Sequence, residues 1–155
     1  MKRVYASDMP AEMAEIAGRF DHGSFDKSLG AVGIVIQEGI ARNFSRQTDS
    51  DGAPWPDRVG EDDIAHPMLI ETGALLAAAT GTGAGSIRRV VNGRAVEVGV
   101  DKSVEMGGIP GAAVHNFGHE FGAFKVPQRE WLYATGEVLD EAAAVFAEQA
   151  EKELF

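Results

Sequence analysis

The sequence predicts an α+β domain in which a long N-terminal helix and a C-terminal helix pack on a small antiparallel β-sheet, with a long polar loop between elements. Three observations carry that expectation. Leu29, Val32, Ile36, Ile40 and Phe44 recur at helical spacing on one face. Asn92-Gly93 sits between runs of alternating apolar residues, the strongest short-range signal of a β-hairpin. A second helical pattern opens near Thr135 and continues through the last residues.

Taken in order, a first helix begins near Asp8, whose carboxylate can cap it, tolerates Pro10 in its first turn and ends by Gly18 to Gly23. The long helix then runs from about Ser24 or Asp26 to Arg46. Gly30, Gly33 and Gly39 in its interior each cost up to about 1 kcal/mol relative to alanine, so packing must hold it. The same glycines point to a closely approaching neighbour. Gln47 to Pro67 is polar, rich in aspartate and proline, and reads as a long loop of the kind that is often functional in compact domains.

Pro67 to Thr80 reads as partly helical, with Thr72 as the candidate cap of its second half. A glycine-rich turn, Gly81 to Gly85, leads into strands Ser86 to Val91 and Arg94 to Val100, where Val96, Val98 and Val100 face the core. Gly107 to Gly111 is a loop. Ala112 to Phe117 is a short helix closed by Gly118, which can take the left-handed conformation that other residues avoid. Phe121 to Val126 is a third strand, and Val126, Pro127 and Arg129 form a rigid extended segment leading into more strand, because proline fixes its own φ and keeps the preceding residue out of the helical region. The final helix half-buries Val138, Leu139, Ala142, Val145, Phe146 and Gln149 to Leu154, and turns Glu137, Asp140, Glu141, Glu148 and Glu151 outward.

The 155 residues, 45% of them hydrophobic, suffice for one domain over 1–155 with one real core. With no cysteine there is neither a disulfide framework nor thiolate chemistry, which suits a reducing cytoplasm. Met1 to Tyr5 holds two basic residues with no apolar run behind them, so no signal peptide is expected, nor is any segment apolar enough for a membrane span. A net charge of −10 argues against gripping nucleic acid by phosphate neutralisation. An acidic wall would instead let DNA slide past without sticking.

Several segments suggest chemistry and are better read as scaffold. His115 and His119, beside Glu120, have the i, i+4 separation of a helical zinc site, but Gly118 ends the helix between them, leaving a packed or hydrogen-bonded histidine. Asp49, Asp51 and Gly52 resemble a calcium loop, yet Ala53 takes the third ligand position and Pro54 stands where the glycine belongs. Trp55 reads as an anchor that pins this loop to the body or, with Asp51 and Pro54 beside it, to a neighbouring subunit. Gly81 to Ser86 lacks the lysine of a phosphate cradle and leads into a strand. Arg88, Arg89 and Arg94 make a basic cluster suited to a solvated face or to docking an acidic patch of the next subunit. No serine, histidine and acid set has the context of a nucleophile, so an enzyme is not expected.

One ordered set of landmarks goes further. Phe44 precedes the loop DSDGAPWP (Asp49 to Pro56); Leu69, Thr72, Gly73 and Leu75 follow; then come the hairpin, VHNFG with His115, Phe117 and Gly118, VPQREWL with Pro127 and Arg129, and a closing helix. This order resembles the tailed-phage virion morphogenesis proteins, the Mu-type and P2-type tail completion family, over roughly residues 25 to 150. The chain departs from the family at Gly111 and Ala112, where an aromatic-alanine pair is usual, and at Glu130, where proline is common.

The resemblance implies a structural protein of a tailed-phage virion, assembled in the bacterial cytoplasm. It would form an oligomeric ring in the neck, a hexamer first and a dodecamer second, that completes the tail and joins it to the head. Its implied partners are the head-tail connector or adaptor and the tail terminator or tube proteins. Viral DNA would pass through its channel without tight binding, and no cofactor, metal or membrane is implied. The alternatives are a tail terminator that caps tube polymerisation and, in a different class, a small phage-encoded metal-dependent hydrolase.

Overall fold

The fold is built around one helix, α1 (Asp26–Arg46), which is buried on two sides. The computed structural model describes residues 18, 25–57, 69–70, 73–104, 111–122 and 124–154. The first helix expected near Asp8, the cap at Thr72 and the loop from Gly107 lie outside those residues, apart from Gly18 and Gly111, both helical. At 100° per residue, Gly33, Gln37, Ile40 and Phe44 centre roughly 160° around α1 from Ser28, Val35, Gly39 and Arg42. The apolar stripe legible in the sequence lies mainly on the first of these two packed faces, through Ile36, Ile40 and Phe44, with Val32 alone packing on the second.

The first face receives the β-hairpin and the main core. Strands β1 (Ser86–Val91) and β2 (Ala95–Val100) pair antiparallel, with Arg88 opposite Val98 and Arg89 opposite Glu97. Asn92 and Gly93 both take positive φ, as the sequence expectation requires, and the Arg94 N–H donates to Val91 O at 3.1 Å. Arg94 thus belongs to the turn, and pairing resumes one residue later than expected, at Ala95. Gly33 lets the hairpin come close: a Cβ there would sit 2.9 Å from both Arg88 Cγ and Val96 Cγ2. Beside this contact, short helix α2 (Ala74–Ala79) buries Leu75, Ala78 and Ala79, with Gly73 at its N-cap in the left-handed region. Ile40, Phe44, Trp55, Leu69, Leu75, Ala79, Ala112 and Trp131 form the core, with Val98 and Val100 packed against it. Burying each large member stabilises by about 1.5–3 kcal/mol.

The second face of α1 receives helix α4 (Gly136–Leu154), which runs antiparallel to it. Thr135 opens α4: its Oγ1 accepts from Val138 N at 3.3 Å, and its carbonyl from Leu139 N at 3.0 Å. Val35, Val138 and Ala142 make a second small core with Val32 and Val145 against it. Leu139, expected among the buried residues, is 54% exposed because it falls beside this seam. At one end Arg42 pairs with Glu141 at 2.8 Å, which raises the guanidinium pKa further. At the other, the Glu153 carboxylate accepts the Lys27 and Ser28 amides at 3.1 and 3.4 Å and the Ser28 hydroxyl as well. Phe25, the N-cap of α1, makes no side-chain cap bond, so an acid from the far end of the chain caps the helix and faces its positive dipole end.

Between hairpin and α4 the chain forms α3 (Gly111–Phe117) and a miniature hairpin, β3 (His119–Phe121) paired with β4 (Phe124–Val126). The single strand expected over Phe121 to Val126 is thus the tail of one strand and the whole of another. Gly122, at φ 58°, turns the chain between them. β4 ends at Val126, so Pro127 and Arg129 leave a strand rather than lead into one.

Gly39 supplies a test of the α1–α4 seam. A Cβ there would lie 2.8 Å from both methyls of Val138, a buried β-branched side chain that is stiff at χ1. Gly39→Ala should destabilise by about 1–2 kcal/mol despite alanine's better helix propensity. In a Val138→Ala background the same change should become neutral or stabilising, and a double-mutant cycle by chemical denaturation reads the reversal.

Candidate functional site

Several residues that carry the sequence resemblance, among them Phe44, Trp55, His115, Gly118 and Arg129, meet at one irregular stretch, 127–135, which contacts α1, α3 and the loop that follows α1. Arg129 and Trp131 are buried in this stretch, which has no helix or sheet to satisfy its backbone, so the polar groups withdrawn from water there need other partners. Asn43, near the end of α1, donates from Nδ2 to Trp131 O at 3.0 Å and Tyr133 O at 2.9 Å. Asn116 in α3 accepts on Oδ1 from Trp131 N at 3.1 Å and Leu132 N at 2.9 Å. The Trp131 indole, buried against Phe44, donates to Ala112 O at 3.2 Å.

Arg129 and Glu130 fasten the 47–57 loop to this stretch. Buried Arg129 donates from Nε to Pro56 O at 3.0 Å and from Nη2 to Asp57 O at 2.9 Å, while its amide donates to His115 O at 2.7 Å. Glu130 O accepts the Trp55 indole N–H at 3.0 Å, and its carboxylate accepts from Ser50 N at 3.2 Å. The Tyr133 hydroxyl donates to Thr48 O at 3.0 Å. Trp55 is consequently 3% exposed, its ring edge-on to Phe44 at 5.8 Å. Of the two anchorages expected for Trp55, the structure shows the one to its own body rather than an aromatic presented to a neighbouring subunit, while Ser50 to Pro54, with Pro56 and Asp57, stay exposed. Asp49 is occupied within the loop, its Oδ1 accepting the amides of Asp51 and Ala53 at 3.0 and 2.8 Å.

Gly118 ends α3 at φ 70°, and a Cβ there would meet Gln128 N at 3.0 Å, so both its conformation and its closeness to the 127–135 stretch demand glycine. His115 is half-buried, and among the described residues its Nδ1 finds no hydrogen-bond partner. Burial, then the neighbouring Arg129 charge, holds its pKa below the usual 6.5. His119 lies in β3 opposite Val126, off the helix that carries His115. No group of three or more histidine, aspartate or glutamate side chains that could hold a metal ion lies among the described residues. Phe117, placed with the structural motif by its sequence position, is 72% exposed and packs into no core. Pro127 is half-buried just beyond β4, and Gly73 opens α2.

The three arginines do not share one face. Arg88 lies along α1, donating from Nη1 to Gln37 Oε1 at 2.7 Å, whereas Arg89 projects from the opposite face of the hairpin and pairs with Glu97 at 2.7 Å. Arg94 is exposed in the turn. They sit on the hairpin against the middle of α1, while the 47–57 loop closes its C-terminal end.

A model of the phage virion morphogenesis family matches residues 14–154, nearly the whole chain. The chain belongs to that family. No match is found among curated proteins or among solved structures. Family membership supports a role in assembling the phage virion. No helix among the described residues is long and apolar enough to cross a membrane.

In this family member the decisive polar residues include two that sequence reading passed over. Asn43 and Asn116 are poor helix formers inside helices, and that mismatch was the available signal that their side chains answer to backbone outside the helix. Nothing local announces the pairing of Ser28 with Glu153, since its partners stand 125 residues apart.

Two measurements probe the 127–135 stretch. Gly118→Val should cost more than about 2 kcal/mol, adding left-handed strain to a backbone clash; unfolding close to wild type would refute the geometry. For His115, whose folded pKa is lowered, stability is fully present above the unfolded value near 6.5 and falls as pH drops below it, because the unfolded chain binds the proton more readily. The loss in melting temperature between pH 7.5 and pH 5.5 should therefore be smaller in His115→Gln than in wild type.

Proposed function

We propose that this chain assembles as an oligomeric ring in the neck of a tailed-phage virion, a hexamer first and a dodecamer second, where it completes the tail and joins it to the head connector or adaptor. The observation that carries this reading is the family match across residues 14–154. The architecture supports it. His115, Gly118, Arg129 and Trp131, which lie in the segments marking the resemblance, build a rigid scaffold, as a joint requires.

Its surfaces suit the same task. Asp51 and Pro54 stand exposed on a loop that Trp55 and Arg129 hold rigid, so a partner meeting that loop orders little new chain. The arginine-bearing hairpin offers a second contact. A net charge of −10 keeps phosphate at a distance over a Debye length of roughly 8 Å at physiological salt, which favours passage of DNA over capture.

Deleting the gene from its phage should leave separate filled heads and finished tails, visible by negative-stain electron microscopy. Tails of uncontrolled length would mark a terminator instead, and normal joined particles would overturn both readings. The purified protein should not retain duplex DNA at physiological salt; salt-sensitive submicromolar binding would contradict the channel role.

A further inference from the structure

We propose, on the basis of the ring reading above, that successive copies meet head to tail, the arginine hairpin of one copy docking on the outer face of α4 in the next. The hairpin residues 86–100 carry three arginines against one glutamate, whereas α4 carries six acidic residues against one lysine. These two elements pack on nearly opposite sides of α1, the hairpin at Gly33 and α4 at Gly39. The molecule is thus electrically polar across its central helix.

On α4, Glu137, Asp140, Glu148 and Glu151 fall within about 80° of the helical wheel, away from the buried seam of Val138, Ala142 and Val145, and all four are exposed. Two are partly answered within the chain, since Arg46 lies 3.7 Å from Glu137 and Lys152 lies 2.6 Å from Glu148. Asp140 and Glu151 have no cationic partner among the described residues. On the hairpin, Arg89 is held by Glu97 and Arg88 only by the neutral Gln37 amide, and Arg94 has no acidic partner among the described residues. Val91, just before the turn and 36% exposed, supplies an apolar centre beside these charges.

Charge complementarity selects a second copy as the occupant, and the placement of the patches selects the symmetry. Patches facing away from each other cannot both be paired across one twofold axis, where each would meet itself or solvent. A head-to-tail repeat pairs every hairpin with an α4, and it closes into a ring when the rotation between copies divides a full turn.

Analytical ultracentrifugation tests this with Arg89→Glu/Arg94→Glu and Asp140→Lys/Glu151→Lys, each checked by circular dichroism for a folded chain. Each variant alone should self-associate at least about a hundredfold more weakly than wild type, because like charges then face each other. An equimolar mixture should recover association, since the variants can alternate around an even-membered ring. Wild-type association should also weaken as salt is raised, which reads the contact without any substitution. An oligomer that survives hairpin reversal, or is indifferent to salt, overturns this contact and leaves the ring reading standing. If α4 reversal leaves the oligomer intact but makes it retain duplex DNA, that face lines the channel and the contact is likewise overturned. A wild-type chain that stays monomeric at high concentration and low salt overturns the ring reading and the contact together.

Discussion

The fold depends on satisfying a short buried length of backbone that is neither helix nor strand. Residues 129–133 cross the middle of the molecule, and two asparagines, two indoles and one guanidinium convert what would be unpaired polar groups into ties between distant segments. An unsatisfied buried backbone group costs on the order of 1–3 kcal/mol, and losing Asn43 or Asn116 would leave one such group on Trp131 together with a partly buried neighbour unpaired. The same stretch holds the end of α1, both ends of α3 and the loop after α1 in one register. Its lack of regular structure is what lets it present amides and carbonyls in several directions.

A second constraint is that α1 carries packed surface on both sides. Gly33 and Gly39 admit the hairpin and α4 to a closeness that any side chain would prevent, and the helix propensity they forgo is repaid by those two interfaces. Ile34 and Glu38 lie on the narrow strip that remains open to solvent. With both flanks covered, the helix separates a hairpin rich in arginine from a helix rich in acid.

Elements whose signals are local were legible in the sequence: the span of α1, the Asn92-Gly93 turn, Gly118 as a left-handed helix end and Thr135 as the opening of α4. The α+β class followed from them. What escaped were relations between segments far apart. Trp55 could be recognised as an anchor, but nothing nearby says that Glu130 O is its hydrogen-bond partner and Phe44 its ring neighbour. Arg129 could be marked by its setting in VPQREWL without revealing that it clamps Pro56 and Asp57. The strand expected over Phe121 to Val126 failed because Gly122, taken as part of a continuous run, reverses the chain.

The ties of residues 129–133 to the first half of the chain span 72 to 90 positions, and those between α1 and Glu153 span more than 120. On a ribosome adding about 5–20 residues per second, α1 is complete roughly 5–20 s before α4 exists to cover it. During that interval Val35 and Val32 have no counterpart, and Asn43 has no carbonyl to meet. Closure must therefore come late and cooperatively, after most of the chain has been made, and contacts so long in sequence slow it further. The nascent helix with its two apolar flanks is the species most exposed to aggregation or to capture by chaperones.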